Sequence, residues 1–156
     1  MIAKKILSGY WIILKVLEGR GIVNVRMEEW ENTLKEIFNE IDDYLEDMYG
    51  GLYPLHPSRS SRGATANKSY DGLFDVGASF SAGYGSQYGR GWIFDIHIAT
   101  LTQVSSDIRD KIYDDAVRIL QALLSEHYPD RNIRVEKDGS VFKIFGDLKI
   151  LYKKPD

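Results

Sequence analysis

Two carboxylates and one imidazole stand where an extended chain would aim them together. Asp95 and His97 alternate with Phe94, Ile96 and Ile98, and Asp75 stands between Phe74 and Val76. Successive strand side chains point to opposite faces, so these three leave the face taken by the aromatic and aliphatic residues. A hairpin folded symmetrically about Ser86 sets Phe80 opposite Trp92 and Asp75 opposite His97, with Ser79 and Ser81 on the same polar side. An imidazole beside carboxylates can act as a general base. The same three groups suit an oxygen-preferring divalent metal. Asp75, Asp95 and His97 are therefore the candidate catalytic residues and metal ligands, for a metal-dependent hydrolase with phosphoesters as one substrate class. Ordinary antiparallel sheet explains the pattern too, because its solvent face is polar. An Asp–His cross-strand pair there contributes about 0.2–1 kcal/mol.

The turn between these segments, Gly83-Tyr-Gly-Ser-Gln-Tyr-Gly-Arg-Gly91, is glycine-rich but is not a phosphate loop. Its third glycine is one position too late for G-x-G-x-x-G, no Gly-Lys-Ser/Thr occurs, and it joins two strands rather than a strand and a helix. Tyr84, Tyr88, Arg90 and Trp92 form a candidate ligand-binding set of another kind, an aromatic–arginine surface on which bases of single-stranded nucleic acid could stack. The net charge of −3 weighs against nucleic acid as a partner, since general binders present a basic surface. His56, among prolines, and His127, near a helix end, have no ligand-spaced neighbours. Neither H-E-x-x-H nor G-x-S-x-G occurs. Glu136 and Lys137 are adjacent on a strand, so they face opposite ways.

These groups must be held by elements that the periodicity of the chain predicts. A helix over 28–48 presents Trp30, Leu34, Ile37, Phe38, Ile41, Leu45 and Met48 on one stripe, and Gly50-Gly51 stops it. Residues 53–69 hold two prolines and almost no apolar side chains, which predicts a mobile linker with local positive charge from Arg59, Arg62 and Lys68. Period-two alternation follows through the segments around Phe74–Tyr84 and Trp92–Ile98. A second helix over 106–128, capped by Ser105 or Ser106, buries Ile108, Ile112, Ala116, Ile119, Leu120 and Leu123. A hairpin of 132–136 with 141–145 turns at Asp138-Gly139 as a type I′ turn, which sets Val135 against Phe142 and Ile133 against Ile144. Phe142, Ile144, Leu148, Ile150 and Tyr152 keep one parity, which favours a single strand bent at Gly146.

The expected fold is α+β: a two-layer sandwich whose antiparallel sheet of two hairpins, in ββ-α-ββ order, is covered by helices. One or two N-terminal helical elements precede it. Residues 1–26 form an apolar appendage beside a single domain over 27–156. The run Ile6–Leu14 is too short to span a bilayer, where about 20 residues are needed, so no transmembrane segment is expected. Peripheral membrane contact by residues 1–17 stays open beside packing on the core. With no cysteine in 156 residues, disulfides, thiolate metal sites and cysteine nucleophiles are excluded. The missing catalytic motifs and an aromatic supply of Trp11, Trp30, Trp92 and ten tyrosines favour a cytoplasmic, non-catalytic protein-binding or adaptor domain. Such a domain needs no cofactor, and its partner is another protein or a second copy of itself.

Overall fold

The first helix, α1, runs over Val25–Tyr49 and buries the expected stripe with one change at its end. Trp30, Leu34, Ile37, Phe38, Ile41 and Leu45 are fully enclosed, but Met48 is 57% exposed and Tyr49 is buried in its place. Four residues beyond Leu45 return the helix to the same face, so Tyr49 continues the row. The fold is a computed structural model that describes residues 25–148. The expected appendage therefore lies outside the described residues apart from Val25 and Arg26, which belong to α1. Ile150 and Tyr152 lie outside them as well.

After α1 come a short 3₁₀ turn at Lys68–Tyr70, β1 (Phe74–Ser81), β2 (Gly91–Ile98), α2 (Ser106–His127), β3 (Ile133–Asp138) and β4 (Val141–Gly146). The strands make one antiparallel sheet in the order β1-β2-β4-β3. Both helices cover one face, α1 over β1 and α2 over β3, and they touch each other. This is the two-layer α+β sandwich that the alternation and helical periodicity predict. Phe74, Val76, Ala78, Trp92, Phe94, Ile96 and Ile98 all point into the core. Trp30 meets Trp92 at 6.5 Å and Tyr128 at 5.5 Å, while Phe38 meets Phe94 at 5.9 Å. Ser105 caps α2 by accepting from the Ile108 N–H at 3.3 Å.

The first hairpin has the expected register, with Phe80 against Trp92 and Asp75 against His97. The second does not. Val135 faces Ile144 and Ile133 faces Gly146, two residues away from the expected pairs. Its turn is Gly139-Ser140, with φ +64 at Gly139 and no positive φ at any described non-glycine residue. That fits a type II′ turn, where glycine takes the first central place. Asp138 is thereby left in the strand opposite Val141. The single bent strand is also corrected: β4 ends at Gly146, whose φ of +113 turns the chain. The Leu148 N–H then closes on the Gly146 carbonyl at 2.8 Å.

Residues 53–69 are as polar as their composition suggests, and polar fasteners tie them to the domain. The Arg59 guanidinium donates to the carbonyls of Ser69, Gly72, Asp71 and Phe74 at 2.6, 2.8, 2.8 and 3.0 Å. Ser60 forms a parallel bridge with Asp71, and the His56 N–H reaches the Ala99 carbonyl at 2.7 Å. Lys68 pairs with Asp43 at 2.5 Å, and Arg62 with Asp47 at 2.7 Å. Beneath this strap two α1 carboxyls are buried one turn apart. Glu46 accepts the Phe74 N–H at 2.9 Å. Asp42, 2% exposed, has an Oδ2 without a hydrogen-bond partner.

Helix side chains also close the open sides of the sheet. Strand edges carry peptide groups that need partners, and β3 is an outer strand. The Gln121 amide of α2 donates to the Ile133 carbonyl and accepts from the Val135 N–H, both at 2.9 Å, as a neighbouring strand would. Gln121→Leu removes both bonds at once and is expected to cost about 1–3 kcal/mol of unfolding free energy. Denaturant unfolding with unchanged slope checks this, and a neutral result would mean that the edge is satisfied by water alone.

Asp42 gives a second expectation. Burial first, then the nearby Glu46 carboxyl, push its pKa from 3.8 up to about 8. Between those values the folded chain keeps a proton that the unfolded chain has lost, so stability falls as pH rises. The slope from this residue is about 1.4 kcal/mol per pH unit, and below the lower value the penalty disappears. Asp42→Asn removes that contribution. Melting profiles across the window should be flatter in the variant, and parallel profiles would count against a buried neutral Asp42.

Candidate functional site

Each residue singled out in the central hairpin can be placed on a face. Asp75 and His97 are cross-strand partners, as the register requires, and Asp95 pairs with Gly77. All three lie on the face away from the helices. Their surroundings differ: Asp75 is 4% exposed, whereas Asp95 and His97 are open. No group of three His, Asp or Glu side chains among the described residues is placed to hold a metal ion. The sequence pattern thus identifies a shared face, with Asp75 and His97 adjacent and Asp95 one pair further along.

The aromatic–arginine set of the loop is divided by the sheet. Trp92 is 1% exposed and packs in the core. Tyr84 is 97% exposed, and Arg90 is open. Tyr88 lies on the outer face, where its ring stacks on Phe145 at 4.4 Å and Arg134 reaches the same Phe145 ring at 5.7 Å. The loop does not project as a free hairpin. It folds back onto the outer face, drawn down by the buried Lys143, whose ammonium donates to Ser86 Oγ at 2.7 Å and to the Gly89 carbonyl at 2.8 Å. Lys143 also pairs with Asp138 at 3.1 Å, and Ser86 donates to Asp138 at 2.5 Å. The Ser86 bond, then the Lys143 bond, lower the Asp138 pKa below its usual value. Gly83, at φ +83, lies so close to Gly89 that a Cβ there would stand 2.1 Å from the Gly89 carbonyl carbon. Only glycine allows that approach.

A cleft of about 580 Å³ opens on the other side of Asp95, between α2 and the β3–β4 turn. It exists because β4 is short. β2 pairs with β4 only over Trp92–Phe94, and beyond Phe94 the place of a neighbouring strand is empty among the described residues. Tyr113 of α2 fills part of that gap. Its hydroxyl accepts the Ile96 N–H at 2.9 Å and stands 3.3 Å from both the Ile96 carbonyl and Asp95 Oδ1, to either of which it can donate. Burial raises the Tyr113 pKa above its usual value. Its ring stacks on Phe142 at 5.7 Å and meets Phe94 edge-on at 6.3 Å. Asp95, Arg109, Asp110, Asp114, Lys137 and Ser140 supply the polar lining.

Of this lining, sequence reasoning proposed only Asp95 as a functional residue. The rest join through tertiary structure: residues of α2 near its start, one strand end and a turn one residue away from its expected place. One signal was available. Tyr113 follows Ile112 on a helix whose polar face carries Arg109, Asp110 and Asp114 in succession, so an aromatic ring stands beside three charges.

Residues 25–146 match the model of a protein family described as "Uncharacterised protein". The chain belongs to this family. The matched span begins at the first residue of α1 and ends at the last of β4, so it contains both helices, the whole sheet and every residue of the cleft. A relative from Borreliella burgdorferi, described as "Uncharacterized protein", is 40% identical over 121 residues, which are 78% of this chain and 94% of the relative. No solved structure matches the chain. No described helix is long and apolar enough to cross a membrane.

The Lys143 anchor gives an expected outcome for the loop. Lys143→Met keeps the stem but removes the three donors, and it leaves Asp138, Ser86 and the Gly89 carbonyl to find water. A loss of about 1–3 kcal/mol follows, with faster amide exchange confined to residues 83–90 and their contacts on the outer face. Unchanged exchange there would show that the loop is held by the Tyr88–Phe145 stack without the ammonium.

Proposed function

We propose that this domain is a non-catalytic protein-binding module, and that the cleft between α2 and the β3–β4 turn is its docking surface. The observation that carries this reading is the cleft's make-up: a stacked Tyr113–Phe142 pair at its centre with charged groups around it. An aromatic core with a polar rim is the usual anatomy of a protein interface. Buried aromatic anchors are also where binding energy concentrates. The lining contains no histidine, the side chain most often used as a general base and to activate a serine. A second copy of the chain is one protein partner such a surface could accept, and a cytoplasmic setting is consistent with the cysteine-free sequence.

The test is comparative. The full chain, with and without Ser140→Trp to fill the mouth of the cleft, is cross-linked in extracts of its own cells, and captured proteins are quantified. Light scattering of both forms reads self-association. The reading expects at least one protein, or a dimer, formed by the wild type and lost in the filled form, with both forms equally stable. An identical captured set for both forms, and a strict monomer in both, would overturn it.

A further inference from the structure

The charges of this chain are unevenly placed. Residues 25–148 hold 13 of the 20 lysines and arginines but 21 of the 23 aspartates and glutamates, a net charge of −8 within a chain of −3. A domain so acidic attracts basic partners from beyond contact range and repels acidic ones. The cleft has the same bias at close quarters. Asp110 and Asp114 are exposed one turn apart on α2, and with Asp95 they make three carboxylates against the cations of Arg109 and Lys137.

Building on the protein-binding reading above, we infer that the cleft takes a segment of a partner protein carrying spaced lysine or arginine side chains with apolar neighbours. The aromatic pair supplies a flat wall for the long stem or the guanidinium plane, and the α2 carboxylates meet the charged head. Arg109 and Lys137 set the spacing. Their repulsion disfavours an unbroken basic tract, so selectivity arises from a repulsive element beside an attractive one. The apolar neighbours pack against Phe142 and Val141, which line the same cleft.

Fluorescence anisotropy of the full chain at low salt reads this directly. The probes are short labelled peptides with two arginines at varied spacing among apolar residues, the same peptides with glutamate in their place, and an unbroken oligoarginine. The spaced arginine peptides are expected to bind best. Asp110→Asn with Asp114→Asn should weaken them by about tenfold or more. The charge-matched Glu36→Gln with Glu40→Gln, on the exposed side of α1, should leave them nearly unchanged, and thermal melting confirms that both variants fold. Equal weakening by the two pairs would reduce the effect to overall charge and overturn the inference, as would no binding or equal binding of the glutamate peptides. If the Ser140→Trp comparison still finds a cleft-dependent partner, only the basic segment is ruled out. If it finds none, the docking surface falls with it.

Discussion

An antiparallel sheet leaves peptide groups without strand neighbours along its outer strands and wherever one strand outruns the next. Those groups are strong donors and acceptors, and leaving one dry costs about as much as a lost hydrogen bond. In this domain the cover comes from single helix side chains. Glu46 of α1 takes the first N–H of β1, Gln121 of α2 takes a donor and an acceptor of β3, and Tyr113 takes the β2 amide beyond the end of β4. Each must be polar, yet each sits beside the core stripe of its helix. The two layers are therefore joined by directional bonds as well as by apolar packing, and the helices cannot slide along the sheet without breaking them.

The same need explains the strap over residues 53–69. A segment with few apolar side chains contributes little hydrophobic burial, so order must come from hydrogen bonds. One guanidinium reaching four carbonyls does this compactly, because the planar fork presents its donors without a large further loss of freedom. The strap closes over Asp42 and Glu46, and the burial of those carboxyls follows from it. Tyr49 completes the layer by donating its hydroxyl to Asp115 of α2, and burial first, then that bond, raise its pKa to about 12.

What was legible in the sequence is what repeats. Helix stripes and strand alternation come from periodic burial, and the register of β1 with β2 follows from a loop that is symmetric about Ser86. The second hairpin was misplaced because Asp138-Gly139 and Gly139-Ser140 both make acceptable turns locally. Ser86 and Lys143 both contact the Asp138 carboxylate, which favours the register that keeps Asp138 in the strand. The burial of Asp42 and Glu46 has no mark in the sequence, since nothing within a helix says that a distant arginine will lay a strap across it. Of the cleft, strand alternation marks Asp95, and the one further signal is Tyr113 among the charges of α2. The cleft's other walls meet because the β3–β4 hairpin turns at Gly139-Ser140, short of the end of β2, and how far one hairpin outruns its neighbour has no local marker.

Tyr113 belongs to two structures at once. Its oxygen completes the hydrogen bonding of β2, and its ring forms the back of the cleft. An occupant that leaves the oxygen alone would tighten the strand end behind it, while one that claims the oxygen must first loosen that end. Occupancy and local backbone order are consequently linked quantities at this one position. Phenylalanine, the isosteric replacement, would preserve the wall and forfeit the link.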